Sequence, residues 1–160
     1  MGQREAPVLV IRQPFYKFNR YNKSSLRALV ITDKYIAKLD SISFKLLKEP
    51  IPLLKVTRIS LCPEPNGLFI IHVPDNDIIG CMKNPKDEER VGELVGVLLY
   101  QFERKGNLKQ PEVIISPALD VCLGGKWRAV RIFPADATQQ AVFKKNGNDI
   151  DLICHNLTTV

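Results

Sequence analysis

The stretch FYKFNRYNKSSLRALVITDKYIAKL, residues 15–39, decides how the rest of the chain is read. Phe15 to Phe18 and Leu26 to Thr32 are rich in aromatic and β-branched residues, which pack well on a pleated surface, and Asn22-Lys23-Ser24-Ser25 between them has turn chemistry. The pattern predicts a β-hairpin. After the short Asp33-Lys34 link comes a third run, in which Tyr35, Ala37 and Leu39 share one face and Ile36 and Lys38 the other, so the hairpin continues as an antiparallel meander. Lys17, Arg20, Lys23 and Arg27 lie on the hairpin with Lys34 and Lys38 just beyond, and the only acid in the stretch is Asp33. Such a loop is a cradle for an anion. A solvated hairpin tip carries the same residue types, so the choice between the two readings rests on the remaining chain.

Working outward, Ala6 to Arg12 reads as a lead-in strand that Gln13-Pro14 breaks, which sets residues 1–14 apart from a core over 15–106. Downstream, Phe44 to Leu47 is a short apolar run, and the prolines of Glu49-Pro50-Ile51-Pro52 argue against regular pairing there. Leu54 to Cys62, Leu68 to Val73 and Asp77 to Met82 follow as strands, separated by turns at Pro63–Gly67 and Pro74–Asn76. The sequence LFIIHV at 68–73 is apolar without alternation, as in a strand buried on both faces. Short strands with short loops in this number indicate a small barrel or sandwich.

Beyond Asn84-Pro85 the period changes. Val91, Leu94, Val95, Leu98, Leu99 and Phe102 form one apolar stripe of a helix, opened by Asp87, Glu88 and Glu89, closed by Arg104 and Lys105, and stopped by Gly106-Asn107. Gly92 and Gly96, costly inside a helix, are read as permitting close packing on the sheet. Residues 107–160 return to β structure, with strands at Glu112 to Ile115, Trp127 to Phe133, Ala141 to Lys144 and Ile150 to Cys154 and a turn at Gly124-Gly125. The fold class is therefore mostly β with one long helix: a barrel capped by that helix, with a C-terminal β extension packed on the core.

Composition narrows the function. A chain of 160 residues with 45% hydrophobic and 25% charged content folds as an ordinary globular domain. No apolar run approaches the roughly 18 residues that span a bilayer, and MGQREAPVLV lacks the apolar centre of a signal peptide, so a cytoplasmic domain is expected. Met1-Gly2 superficially fits a myristoylation signal, but position 6 is Ala rather than Ser or Thr. Cys62, Cys81, Cys122 and Cys154 form no C-x-x-C pair and sit in or beside apolar runs, which reads as reduced, buried thiols rather than a metal site.

No catalytic motif is present, His72 and His155 are far apart, and His72 inside a strand reads as a satisfied structural histidine. Gly124-Gly125-Lys126 lacks the strand and following helix of a phosphate loop. An enzyme, a cofactor and a metal are not expected.

Charge is polarised along the chain. Residues 1–60 carry twelve Lys/Arg against four Asp/Glu, residues 61–112 six against nine, and residues 113–160 five against four. A cationic pole of this kind points to an anionic partner, either membrane headgroups or nucleic acid. Lys34, Lys38, Lys126 and Arg128 extend the basic surface, while Lys48 is read as lying outside the hairpin. Phe15, Tyr16, Phe18, Tyr21 and Trp127, interleaved with these cations, could stack bases, but strand alternation sends several of the rings inward.

The order of elements, a β-meander followed by one amphipathic helix, resembles a pleckstrin homology domain. KFNRYNKSSLRALVITDKYIAKLD, PIPLLKVTRISLCPEPNGLFIIHV, EERVGELVGVL and VIISPALDVCLGGKWRAVRIF together resemble the tail homology one domain of class I myosins, from about residue 15 to the C-terminus. The resemblance implies a peripheral anchor at the plasma membrane or cell cortex that binds phosphoinositides and phosphatidylserine. Actin and calmodulin would be engaged by other regions of the parent motor. It also implies a headgroup pocket of the pattern Lys, loop, Lys/Arg-x-Arg, onto which Lys17 and Arg27 fall, with Arg20 and Lys23 nearby. Ser25 stands at the middle basic position, with Lys23 two residues earlier. A pleckstrin-like module that docks a protein, and a single-stranded nucleic-acid binder, remain as alternatives.

Overall fold

The β1–β2 hairpin joins an aromatic, β-branched strand pair through a turn that an asparagine side chain closes. In the computed structural model, which describes residues 9–63, 66–82, 90–106, 109–134 and 141–154, β1 is Leu9–Phe18 and β2 is Ser24–Thr32. The turn between them is Asn19–Lys23, not Asn22–Ser25. The Asn19 side-chain oxygen accepts from the Tyr21 and Lys23 N–H groups, and Asn22 takes φ 63°. Pro14 does not break β1. It pairs with Ala28 of β2, while β7 pairs with β1 only from Phe15 onward, so the missing N–H falls where the strand is still open on its second side.

The meander continues through β3 (Tyr35–Asp40), β4 (Ile51–Pro52), a 3-10 turn at Leu53–Lys55, β5 (Arg58–Leu61), β6 (Leu68–His72) and β7 (Ile78–Met82). Ile51 and Pro52 do pair, with Ile36 and Tyr35, because β4 is the outer edge of the sheet and proline is tolerated at an edge. Phe44–Leu47 forms no strand beyond a single bridge from Leu46 to Leu39; Phe44, at φ 57°, belongs to the turn. With β8 (Glu112–Ile115) added parallel to β5, the strand order is β4-β3-β2-β1-β7-β6-β5-β8.

One face of this sheet encloses the larger core. Phe15, Leu29, Ile31, Ile36, Ile59, Phe69, Ile71 and Ile78 pack there with Leu94, Val95, Leu98 and Phe102 of α1 (Arg90–Lys105). The helix thus presents the stripe read from the sequence; its acidic opening, Asp87 to Glu89, lies outside the described residues. Since β7 runs antiparallel to β1, with Met82 opposite Phe15 and Ile79 opposite Phe18, it carries the chain away from the hairpin tip before the helix begins. The helix glycines do not touch the sheet: a Cβ at Gly92 or Gly96 would meet nothing within 4 Å. Gly80 is the glycine that close packing demands, because a Cβ there would lie 2.3 Å from the Phe15 ring, which in turn packs 5.5 Å from Phe69.

A second sheet covers the other face. Its order is β11-β12-β10-β9, from β9 (Leu119–Leu123), β10 (Lys126–Pro134), β11 (Val142–Asn146) and β12 (Asp149–Cys154). Between the sheets lie Phe18, Leu68, Ile70, Ile79 and Cys81 on one side, and Leu119, Val121, Val130, Phe143, Ile150 and Leu152 on the other. β6 is therefore buried on both faces, as its unbroken apolar run requires. Residues beyond the helix divide between the two sheets, because β8 joins the first.

Asp77 ties the layers together. Its carboxylate accepts from His72 Nδ1 at 2.8 Å, the Val73 N–H at 3.2 Å and the Cys122 N–H of β9 at 2.8 Å. His72 Nε2 lies 2.7 Å from the Ser60 hydroxyl. All three side chains are buried, so this Ser-His-Asp array is a satisfied polar tie across three strands and the second sheet.

Candidate functional site

Strand parity aims a group of cations into the mouth of the barrel. Lys17 follows Ile11 and Phe15 on the inward face of β1, Arg27 precedes Leu29 and Ile31 on that of β2, and Lys38 follows Ile36 on that of β3. All three strands reach this end of the barrel at the β1–β2 turn, where Lys17 pairs with Ser25, and Arg27 with Phe15 and Asp40. Lys38 is only 7% exposed. Lys48, from the β3–β4 loop, is close enough to press on both lysines.

Electrostatics mark the mouth as unsatisfied. Lys17 is pushed down to about 7 from 10.5, first by burial, then by the Lys38 charge and by a hydrogen bond with Lys38, then by Lys48 and Arg27. Lys38 is also lowered, again chiefly by burial. The two lysines interact directly: Lys38 adds to the effect of burial on Lys17, whereas the hydrogen bond with Lys17 works against burial at Lys38. None of these cations forms an ion pair among the described residues. Asp40, the carboxylate that acts on Arg27, is held by the N–H groups of Ile42 and Ser43, which lower its pKa. The Arg27 Nη1 donates to the Leu26 carbonyl at 2.9 Å, which fixes the guanidinium. Lys17, Arg27, Lys38 and Lys48 thus form a partly desolvated set of cations with no ion-paired carboxylate among the described residues.

The sequence-predicted residues divide into separate groups. Lys17 and Arg27 meet at the mouth, and Lys38, expected only as supporting surface, is at its centre. Lys48, read as outside the hairpin, belongs to it. Lys34 lies beyond the far end of β2, its carbonyl accepting from Leu53, and is not part of this group. Lys23 is exposed in the β1–β2 turn, two residues before Ser25. Arg20, Lys126 and Arg128 face a different cleft, of about 240 Å³, which Lys145 also lines. Parity tells which residues share a face but not which face is inside, so it does not reveal that Lys38 is buried.

Sequence reading also passed over an apolar rim. In the β3–β4 turn, Ile42 is 88% exposed and Phe44, Leu46 and Leu47 are exposed as well, flanked by Lys45 and Lys48. Arg12 stacks on Phe44 with its guanidinium 4.6 Å from the ring centre. No helix among the described residues is long and apolar enough to cross a membrane.

A seven-strand meander, an amphipathic helix closing its core and a cationic mouth at the first hairpin define a pleckstrin homology-like domain with a β extension. The hSac2 domain of the human phosphoinositide phosphatase Sac2 shares the fold, with a TM-score of 0.52 and 12% identity over 71% of this chain and 80% of that one. A family model described as "Unconventional myosin tail, actin- and lipid-binding" matches residues 2–151, and the chain belongs to that family. It is 41% identical over 90 residues to zebrafish unconventional myosin-Id, covering 54% of this chain and 9% of that protein. Human unconventional myosin-Id is 33% identical over 133 residues, 81% of this chain and 13% of that protein. The Drosophila melanogaster myosin ID is 31% identical over 143 residues, 84% of this chain and 14% of that protein. The chain thus spans a small fraction of the length of these myosins, and the matching family model is one of the myosin tail.

Proposed function

We propose that this domain is the membrane anchor of a class I myosin, holding anionic phospholipids, and phosphoinositides in particular, at the barrel mouth. The observation that carries this reading is the convergence of Lys17, Arg27, Lys38 and Lys48 without an ion-paired carboxylate. A phosphorylated headgroup supplies the missing negative charge, and Arg27 offers it a planar two-pronged contact. The apolar β3–β4 turn favours a bilayer as the source of that headgroup, because Ile42, Leu46 and Leu47 can enter the acyl boundary while Lys45 and Lys48 stay with the phosphates. Phosphatidylserine adds delocalised attraction to the basic pole. Such a domain would tether an actin-based motor, whose head and calmodulin-binding neck belong to the rest of the parent chain, to the cytoplasmic side of the plasma membrane or the cell cortex.

Vesicle co-sedimentation tests this. Lys17→Ala, Arg27→Ala and Arg27→Lys are compared with Lys55→Ala, an equal change of charge in the exposed 3-10 turn that bonds back toward Lys34. Each mouth contact is a charge-assisted hydrogen bond worth roughly 1.5–3 kcal/mol. The alanine variants should therefore lose about tenfold or more on phosphatidylinositol 4,5-bisphosphate vesicles, and the control little. Arg27→Lys should hurt binding to that lipid yet leave phosphatidylserine binding nearly intact. Equal losses at all positions would mean that charge density alone drives binding.

A further inference from the structure

The opposite side of the hairpin from the barrel mouth carries a second collection of cations. Arg20, Lys126, Arg128 and Lys145 line the cleft of about 240 Å³ with Asn22 and Asn148, and no acid is among the lining residues. Arg128 is the informative one. It is only 6% exposed, its Nε donates to the Asn148 carbonyl at 2.8 Å, and its guanidinium lies 5.6 Å from the buried Phe18 ring. Yet Arg128 forms no ion pair among the described residues: the nearest influential carboxylate, Asp149, is engaged by Arg131 at 3.8 Å. A buried arginine without a counter-ion is costly, and that cost is relieved when an anion occupies the space its free edge faces.

The surroundings hold this cleft in shape. Gly124 and Gly125 form a tight turn at φ 62° and 79°, and the turn is tied to the β6–β7 loop by the Gly124 N–H to Asn76 and the Gly125 N–H to the Asp75 carbonyl. A Cβ at Gly124 would sit 2.9 Å from Arg20 Cδ, so the glycine is what lets the Arg20 stem lie against the turn. Asn148 Nδ2 donates to the Trp127 carbonyl and fixes the β11–β12 turn, which holds Gly147 and follows Lys145 of β11. The β1–β2 turn and strands β10 and β11 thus bring cations to one concavity.

We propose that this cleft is a second anion-binding site, distinct from the barrel mouth and independent of the reading given to the mouth, that takes a phosphate monoester. The ligand chemistry is a compact dianion, which a phosphoinositide headgroup or a free phosphate ester can supply. Lys126 and Lys145 are the exposed members that grip it, and Arg128 is the buried base of the site.

The test uses the whole chain carrying Lys17→Ala and Arg27→Ala, so that the mouth is disabled. Amide resonances of Gly124, Gly125, Gly147 and Asn148 are followed while inositol 1,4,5-trisphosphate or inorganic phosphate is added. These amides should shift saturably, and adding Lys126→Ala and Lys145→Ala, both exposed near strand ends, should weaken the trisphosphate affinity about tenfold or more. Vesicles containing phosphatidylinositol 4,5-bisphosphate separate the sources. A further severalfold loss of vesicle binding beyond that of Lys55→Ala identifies the lipid headgroup, whereas a loss confined to the soluble probe identifies a free phosphate ester. Absence of saturable shifts, or shifts indifferent to Lys126 and Lys145, overturns the site; failure of the mouth instead appears as full vesicle binding by the Lys17→Ala, Arg27→Ala protein with its cleft intact.

Discussion

Lys38 is 7% exposed beside Lys17, a placement that costs folding free energy and that the proposed anion would offset. Lys38→Met should stabilise the unliganded domain, on the order of 1 kcal/mol, while weakening phosphoinositide binding; thermal melts beside vesicle titrations check both signs. Lys17 sets a pH dependence. Its folded value, about 7, lies below its ordinary 10.5, so between these values the unfolded chain binds more protons than the folded one. Stability of the unliganded protein should therefore rise as pH increases through that window, and Lys17→Met should flatten the rise in denaturation curves. At this scale the hairpin cations were legible as a group because all lie within a few residues of one turn. Their division was not, since Lys17 and Arg20 part company only when β1 is given an inside and an outside, and Lys48 joins Lys17 through a loop whose path no periodicity specifies.

Among the elements, α1 was the most legible, because six apolar residues at helical spacing leave little choice of structure. Its glycines carry a different lesson. Gly92 and Gly96 face solvent, so Gly92→Ala and Gly96→Ala should each stabilise the domain by roughly 0.5–1 kcal/mol, whereas Leu98→Ala, which empties a buried position, should cost roughly 2–5 kcal/mol. Equilibrium unfolding in denaturant distinguishes the two directions. Strand β9 was passed over although Leu119, Val121 and Leu123 lie on one buried face, and β8 pairs in parallel with β5 across a long crossover that local pattern does not reveal. For the β3–β4 turn, Ile42→Ser should reduce affinity for phosphoinositide vesicles while sparing affinity for soluble inositol trisphosphate. Equal losses on both would show that the loop shapes the mouth instead of entering the bilayer.

At the scale of the whole molecule, the cations of the first hairpin divide between the Lys17, Arg27 and Lys38 cluster and the cleft that Arg20 shares with the second sheet. The barrel and helix were readable from strand count and the change of period, but the cleft was not, because it exists only where turns distant in sequence meet. With residues 1–60 carrying twelve Lys/Arg against four Asp/Glu, and each cation near an anionic leaflet contributing about 1 kcal/mol within a Debye length, vesicle affinity should fall steeply between low and physiological salt. An affinity indifferent to salt would contradict membrane anchoring.

If the cation cluster at the barrel mouth takes a phosphate, binding is accompanied by proton uptake. Calorimetric titration with a soluble inositol phosphate near pH 8, repeated in buffers of different ionisation enthalpy, counts the protons that accompany binding. An anion among Lys17, Lys38, Lys48 and Arg27 raises the depressed pKa of Lys17, so the account predicts net uptake of protons that disappears in Lys17→Met. Binding with no proton uptake, or uptake unchanged in Lys17→Met, would place the ligand somewhere other than the mouth and contradict the account.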